Sequence, residues 1–195
     1  MRISSTRMAA LLSTCSAVLA TTACFTPAQT PQAWRDEMRA HRMGRVETWT
    51  LSEDSALVSE RVQSRFMSCF DVGTETCSGT TLNTHCGRMI YKPRAIEDAP
   101  ARRTLTLQMK ANAAGPSGRA PLDGMYQVVV DIEAADVGSR VTFYGTQQAT
   151  HDKVLSAIRG WSEGAGHGIP CPELVLQLRE GELTTAHGIS AGSAF

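Results

Sequence analysis

The sequence lacks a charge excess of either sign. Its 19 lysines and arginines balance 19 aspartates and glutamates, and the isoelectric point is about 6.9. Proteins that bind nucleic acids carry a broad basic surface, so this balance argues against DNA or RNA as a partner. Aromatic residues are also few, at 6%, but hydrophobic residues at 42% are sufficient for a folded domain in a chain of 195 residues.

Motifs that identify common enzymes and cofactor sites are missing as well. The sequence contains no P-loop, GxGxxG or HExxH pattern, and no two cysteines form a CxxC pair. A metal site made of Cys77, His85 and Cys86 is disfavoured by their irregular spacing. We therefore expect a non-catalytic protein that holds no metal and no cofactor.

The histidines and carboxylates that could serve catalysis are scattered along the chain. His41, His151 and His167 lie among polar residues, which favours exposure to solvent. His151 and Asp152 are adjacent in a predicted helix, where neighbouring side chains do not face each other. Asp131 lies in a predicted strand, where we interpret it as part of a solvated face.

The first 23 residues have the pattern of a secretory signal peptide. Arg2 and Arg7 provide a positive start, and residues 8–20 form an uncharged, largely apolar run. A run of this length is shorter than the roughly 20 residues that span a bilayer, but it suits the core of a signal peptide. We expect residues 1–23 to be removed on export.

The junction at residues 21–24 resembles the lipobox of bacterial lipoproteins. Ala23 and Cys24 match the small residue and the cysteine at which these precursors are cleaved and acylated, although Thr21 stands where the family usually has leucine. The resemblance implies that Cys24 carries acyl chains such as palmitate and anchors the protein to a membrane. Because Phe25 rather than aspartate follows, it also implies the outer membrane of a bacterial envelope.

Other processing sites remain open at this point. Cys15, with Leu12 three positions before it, is an alternative lipobox. Ordinary signal-peptidase cleavage after Ala23 or Ala28 would instead release a periplasmic or secreted protein.

The cysteine count favours two disulfide bonds in an oxidising compartment. Removal of the signal peptide and acylation of Cys24 leave four cysteines, which allow three pairings. We expect Cys69 to pair with Cys171 and Cys77 to pair with Cys86.

Apolar residues at helical spacing predict two core helices. They recur every three or four positions over residues 58–69, which predicts a helix over 53–70 with Ser52 as its N-cap. A second helix is predicted after Thr150, its N-cap, with apolar residues at 154, 158 and 161 and with Gly164 and Gly166 ending it. Residues 34–45 are expected to form a short amphipathic helix whose many charges suggest a solvated surface.

The remaining pattern is that of strands and loops. Strands are predicted over 46–51, 88–92, 104–110, 126–133 and 140–146. Residues 104–110 alternate strictly between apolar and polar, which predicts a strand with one face in water. Pro93 is expected to end the strand before it, and residues 71–83 and 112–124 are expected to be loops.

Taken together, these elements predict an α+β domain: an antiparallel sheet of about four to five strands with two helices on one face, similar in outline to helix-grip folds and stabilised by disulfides. The expected organisation is a signal peptide (1–23), a lipid-anchored tether (24–33), one domain (34–181) and a disordered tail (182–195). The expected function is a non-catalytic interaction or scaffolding role at the envelope, with another envelope protein as a candidate partner. A carrier of a small apolar ligand and an envelope hydrolase are the alternatives.

Overall fold

The computed structural model describes residues 27–80, 83–99, 102–111, 121–164, 168–174 and 184–185. The helices are Pro31–Ala40 (α1), Ser55–Phe70 (α2) and Ala149–Ser162 (α3). The strands are Gly44–Leu51 (β1), Gly73–Thr80 (β2), Asn83–Ala99 (β3), Arg102–Ala111 (β4), Met125–Ala134 (β5), Ser139–Thr146 (β6) and Thr184–Thr185 (β7). The predicted signal peptide (1–23), which includes Cys15, and the predicted acylation site Cys24 lie outside the described residues.

The strands form one antiparallel sheet in the order β1-β6-β5-β4-β3-β2-β7. The first five strands in this order, β1, β6, β5, β4 and β3, form an open sheet. Strand β2 and the two-residue β7 extend it beyond β3. Antiparallel strands with helices packed on the sheet are the predicted α+β class, which the structure confirms.

One face of the sheet is covered by α2 and α3. The apolar stripes of both helices form a single core with strand residues such as Leu105 and Val130. Phe66 and Phe70 lie edge to face with ring centroids 4.8 Å apart, and Trp161 of α3 lies 5.8 Å from Phe70. Fully burying a large apolar side chain contributes about 1.5–3 kcal/mol, so this layer is a principal source of stability.

The helices begin at positions that differ slightly from the prediction. Asp54, not Ser52, is the N-cap of α2, and its carboxylate accepts a hydrogen bond from the backbone N–H of Ala56 at 2.7 Å. Helix α3 begins at Ala149, so Thr150 lies inside it rather than at its cap. Several polar residues near each start could act as caps, and the path of the preceding chain decides which one does.

The polar side of β4 is buried, and the prediction that it faces water is wrong. Thr104, Thr106 and Gln108 are only 0%, 2% and 4% exposed. Thr104 donates a hydrogen bond to Asp131, and the amide of Gln108 donates to the carbonyl of Gly124 at 3.1 Å. These bonds make the burial of polar groups tolerable.

Helix α1 packs on this second face of the sheet. Trp34 and Met38 are 8% and 3% exposed, and the indole N–H of Trp34 donates to the carbonyl of Tyr144 at 3.3 Å. The helix begins earlier than predicted because Thr30 caps it, accepting a hydrogen bond from the N–H of Ala33. The expected solvated surface is therefore wrong for the buried side of α1.

Strand β3 continues through Pro93, which the prediction placed at its end. Pro93 pairs with Leu107 of β4, whereas the pairing of β3 with β2 stops at Ile90. The N–H of Tyr91 donates to Val72 on the β2 side. Every second residue of a strand directs its backbone N–H to the same side. The nitrogen of Pro93, two residues after Tyr91, therefore also points to the β2 side, at a position beyond the end of β2. A proline is tolerated at such an edge, where no hydrogen bond is lost.

Residues 71–83 also form more strand than predicted. Gly73–Thr80 pairs with β3 as β2, which is consistent with the high β-propensity of its threonines. Within the predicted tail, Thr184–Thr185 pairs with β2, and the rest of that tail lies outside the described residues.

The packed domain begins before residue 34. Ala28 is buried in the cluster that α1 forms with the sheet, and α1 itself begins at Pro31. Most of the described part of the predicted tether (24–33) therefore belongs to the fold.

Candidate functional site

A polar groove of about 810 Å³ lies between the N-terminal half of α2 and the ends of β3, β4 and β5. Helix α2 contributes Ser55, Ser59, Gln63 and Ser64 to its wall. The first three are spaced by four residues and so form a stripe along the helix, next to the apolar stripe that faces the core. This side of α2 is therefore polar, with three serines and one glutamine beside the carboxylate of Glu60.

The sheet supplies most of the charged groups of the groove. Arg102, Arg103 and Glu97 line it together with the apolar side chain of Ile132. Arg103 donates to the carboxylate of Glu97 at 2.9 Å. Charges of both signs beside hydroxyl and amide groups suit a polar segment of mixed charge better than an apolar ligand.

One residue of the groove, Glu97, lies in the part of β3 whose outer edge is open. Among the described residues, no strand pairs with β3 after Ile90 on the side opposite β4. The backbone N–H groups of Ala95 and Glu97 have the same direction as that of Tyr91, so they point to this edge. Unpaired edge groups of this kind can accept an additional strand from another polypeptide.

The other side of α2 is held against α3. Arg61 donates to the backbone carbonyl of Trp161 at 2.8 Å and also bonds to the carboxylate of Glu53. The hydrogen bond from Arg61 lowers the pKa of Glu53. Because Arg61 lies on the opposite side of the helix from Gln63, these contacts leave the groove side of α2 open.

The structure joins one of the two expected cysteine pairs. A disulfide links Cys69, at the end of α2, to Cys171, which follows α3. Cys77 and Cys86 are directly opposite in the register of β2 and β3. Opposite residues of an antiparallel pair have Cα atoms about 4.5–5.5 Å apart, which is compatible with a disulfide. Their pairing stays a prediction, because their side chains lie outside those described.

Sequence reasoning missed a buried ion pair between α1 and the sheet. Arg35 and Asp131 are 1% and 4% exposed, so the solvated position expected for Asp131 is wrong. Arg35 donates to both carboxylate oxygens of Asp131, at 2.9 and 2.7 Å, and to the hydroxyl of Thr104 at 2.8 Å. Since both oxygens are bound within the protein, the pair holds α1 on the sheet rather than offering an acid or base. An aspartate inside the apolar run of β5 was the available clue.

His151 is also buried, which corrects the expectation that it is exposed. His151 belongs to α3 and is 5% exposed. Its Nδ1 accepts a hydrogen bond from the backbone N–H of Thr146 at 2.9 Å. Burial lowers the pKa of His151 from its usual value of 6.5, an effect that the neighbouring charge of Asp152 partly offsets. His41 is exposed as predicted, and His167 lies outside the described residues.

We expect the protein to lose stability as the pH falls below about 6.5, with His151 as one cause. A lowered pKa means that the unfolded chain binds the proton more readily, so the contribution is fully present above 6.5 and is lost on acidification. A single such proton gives a slope of at most about 1.4 kcal/mol per pH unit.

Chemical denaturation of the His151→Asn variant between pH 7 and 5 measures this effect. Asparagine keeps an acceptor near the Nδ1 position but does not titrate, so its stability should change less with pH than that of the wild type. Ser156→Asn, at an exposed position of the same helix that carries no titratable group, serves as the control and should keep the wild-type slope. Equal slopes for wild type and His151→Asn would contradict the prediction.

Among the described residues, no group of three or more histidine, cysteine or acidic side chains is placed to hold a metal ion. No helix in the described part of the chain is long and apolar enough to cross a membrane. The pentapeptide at 188–192, GISAG, fits the GxSxG pattern of serine hydrolases but lies outside the described residues. No protein-family model and no curated protein matches the chain.

Proposed function

We propose that the protein is an exported, lipid-anchored envelope protein whose domain binds an extended polar segment of another envelope protein. The groove beside α2, at the open edge of β3, is the observation that carries the interaction role. It combines backbone groups that can pair with a strand and side chains that can select its sequence.

The disulfide supports export. Bonds of this kind persist in oxidising compartments and are rare in the cytosol of most organisms. Cys69 and Cys171 are 102 residues apart, so their bond requires the folded arrangement of α2 and the segment after α3. A staple across the domain is typical of proteins that work outside the cytosol.

The proposed anchor is the thiol of Cys24. Its acylation leaves an even number of cysteines in the mature chain, as expected for a protein with two disulfides. Anchoring by more than one acyl chain would make membrane association stable.

Cell fractionation tests the anchor. Cys24→Ser should move the protein from the membrane fraction to the soluble envelope fraction, because acylation requires the thiol. Cys15→Ser is the matched control and should leave the protein in the membrane fraction. Membrane association that persists in Cys24→Ser but is lost in Cys15→Ser would place the anchor at the other cysteine, and association that persists in both would contradict lipid anchoring.

Site-specific photocrosslinking in intact cells tests the interaction. A benzoylphenylalanine at Ser64, which is exposed and lines the groove, should give an adduct with one defined envelope protein. The same residue at Ser156, an exposed serine of α3 outside the groove, should not give it. Arg103→Glu places a carboxylate beside Glu97 and should reduce the Ser64 adduct severalfold.

The outcomes separate the interpretations. Identical adducts at Ser64 and Ser156, or an adduct that Arg103→Glu leaves unchanged, would contradict a role for the groove. Circular dichroism of the Arg103→Glu domain checks that a lost adduct does not reflect unfolding.

The apolar-ligand carrier is less well supported. Such a carrier needs an open cavity between the helices and the sheet, yet Phe66, Phe70 and Trp161 contact one another there and are fully buried. The described groove is polar and lies to the side of α2.

A further inference from the structure

The start of the described chain is fixed to the face of the sheet that carries α1. Ala28 is buried in the cluster that includes Trp34, and the amide of Gln29 donates to the carbonyl of Pro27 at 2.7 Å. Cys24 precedes Pro27 by three residues. Three residues span at most about 10 Å, so a lipid at Cys24 would hold this face close to the bilayer.

The same face carries a strongly exposed leucine. Directly opposite residues of neighbouring strands share a face of the sheet. Arg94 of β3 lies opposite Thr106 of β4, and Thr106 lies opposite Val129 of β5, which belongs to the α1 cluster. Arg94 is therefore on the α1 face. Arg94 bonds to Asp123 at 2.5 Å and so draws the turn at 121–124 to this face. Leu122, in that turn, is 89% exposed.

The outer side of α1 presents one ion pair and one further carboxylate, that of the half-exposed Glu37, to a membrane. Asp36 accepts hydrogen bonds from both Gln32 and Arg39, so the carboxylate and the guanidinium neutralise each other. Ala33 and Ala40 are the other exposed side chains of this helix surface. A surface of this composition can approach a lipid headgroup region without a large electrostatic penalty.

We infer that the α1 face lies against the bilayer and that Leu122 enters the headgroup region. This inference rests on the proposed acylation of Cys24, which brings the face to the membrane. A single exposed leucine binds a membrane weakly, but the covalent anchor raises its local concentration at the surface and makes the contact effective. The opposite face, with α2 and its groove, then points away from the membrane and towards a partner.

Fluorescent labelling of the full mature protein in vesicles of phosphatidylethanolamine and phosphatidylglycerol tests the orientation. Leu122→Cys and Leu57→Cys are matched variants, because Leu57 is 59% exposed and lies on α2 at the opposite face. Each introduced thiol is labelled with the environment-sensitive dye NBD. The dye at position 122 should shift its emission to shorter wavelength and be quenched several times more strongly by spin-labelled lipid than the dye at position 57.

The possible results are distinguishable. Mass spectrometry of the N-terminal peptide first establishes whether Cys24 is acylated; an unmodified cysteine would overturn both the anchor and this orientation. If Cys24 is acylated, equal quenching at the two positions, or stronger quenching at position 57, would overturn the orientation alone. In Cys24→Ser protein the dye at position 122 should behave as in water, because the anchor is absent.

Discussion

Replacement of both Cys69 and Cys171 by serine is expected to lower the free energy of unfolding by about 2–5 kcal/mol. The two cysteines are 102 residues apart, and closing a loop of about 100 residues gives up to about 4.7 kcal/mol from the entropy of the unfolded chain. Domains of ordinary stability unfold with only about 5–15 kcal/mol, so this loss is a large part of the total.

The bond also holds the segment after α3 in place. Leu174 is buried, and its carbonyl accepts a hydrogen bond from the hydroxyl of Tyr91 at 3.4 Å. Without the bond we expect this segment to detach before the rest of the domain unfolds. The double variant is preferred because a single substitution would leave a free thiol able to form wrong pairs.

Denaturant unfolding of the mature domain, with and without reductant, measures the effect. Reduced wild type serves as the control, and it should be at most as stable as the oxidised double variant, because reductant also breaks any bond between Cys77 and Cys86. A double variant within 1 kcal/mol of oxidised wild type would contradict the prediction.

Loss of one partner of the buried Arg35–Asp131 pair is expected to destabilise the domain by about 3–5 kcal/mol. Asp131→Ala leaves the guanidinium of Arg35 without its carboxylate at a position that is 1% exposed, where water cannot compensate for the lost partner. Glu133→Ala, two residues along the same strand, is the matched control. Its pair with Arg140 is half-exposed, so its loss should cost no more than about 1 kcal/mol.

The double variant Arg35→Met/Asp131→Leu completes the test. Replacing both charges by apolar side chains of similar size removes the unpaired charge, so it should be much less destabilising than the sum of the single changes. Denaturant unfolding compares wild type, Arg35→Met, Asp131→Leu and the double variant, together with Asp131→Ala and Glu133→Ala. A loss below 1 kcal/mol for Asp131→Ala, or strict additivity of the single changes, would contradict a coupled buried pair.

The sequence was informative where one periodicity persists over a long segment. The four-residue spacing of Val58, Val62 and Phe66 predicted α2 to within two residues at its start. Alternation over 104–110 predicted β4, and the bond between Cys69 and Cys171 belongs to the pairing that was favoured among the three that four cysteines allow. Each of these patterns reflects a local or covalent requirement.

The covered second face of the sheet could not be predicted from such patterns. Threonine and glutamine are as common on a solvated strand as under a helix, and α1 looks solvated because half of its ten residues are charged or polar. Only the partner of Arg35, 96 residues away in sequence, makes its burial favourable. Long-range pairing of this kind leaves no periodic trace.

The candidate groove was likewise invisible in the sequence. Ser55, Ser59 and Gln63 read as a polar helix surface, and no pattern indicates that the ends of β3 and β4 lie beside them. The extension of β3 past Pro93 hid the open edge as well, because proline usually marks the end of a strand. The site exists only once the helix and the hairpin are brought together.

Pro93 has a consequence for how the protein behaves when many copies crowd one surface. A sheet margin with all its amides intact is a template on which identical chains stack into fibrils. Pro93 removes the first outward N–H of the open edge of β3, so a long self-complementary ladder cannot grow there. The edge that remains can pair with one short strand of a partner, so the protein can bind that strand without forming a fibril.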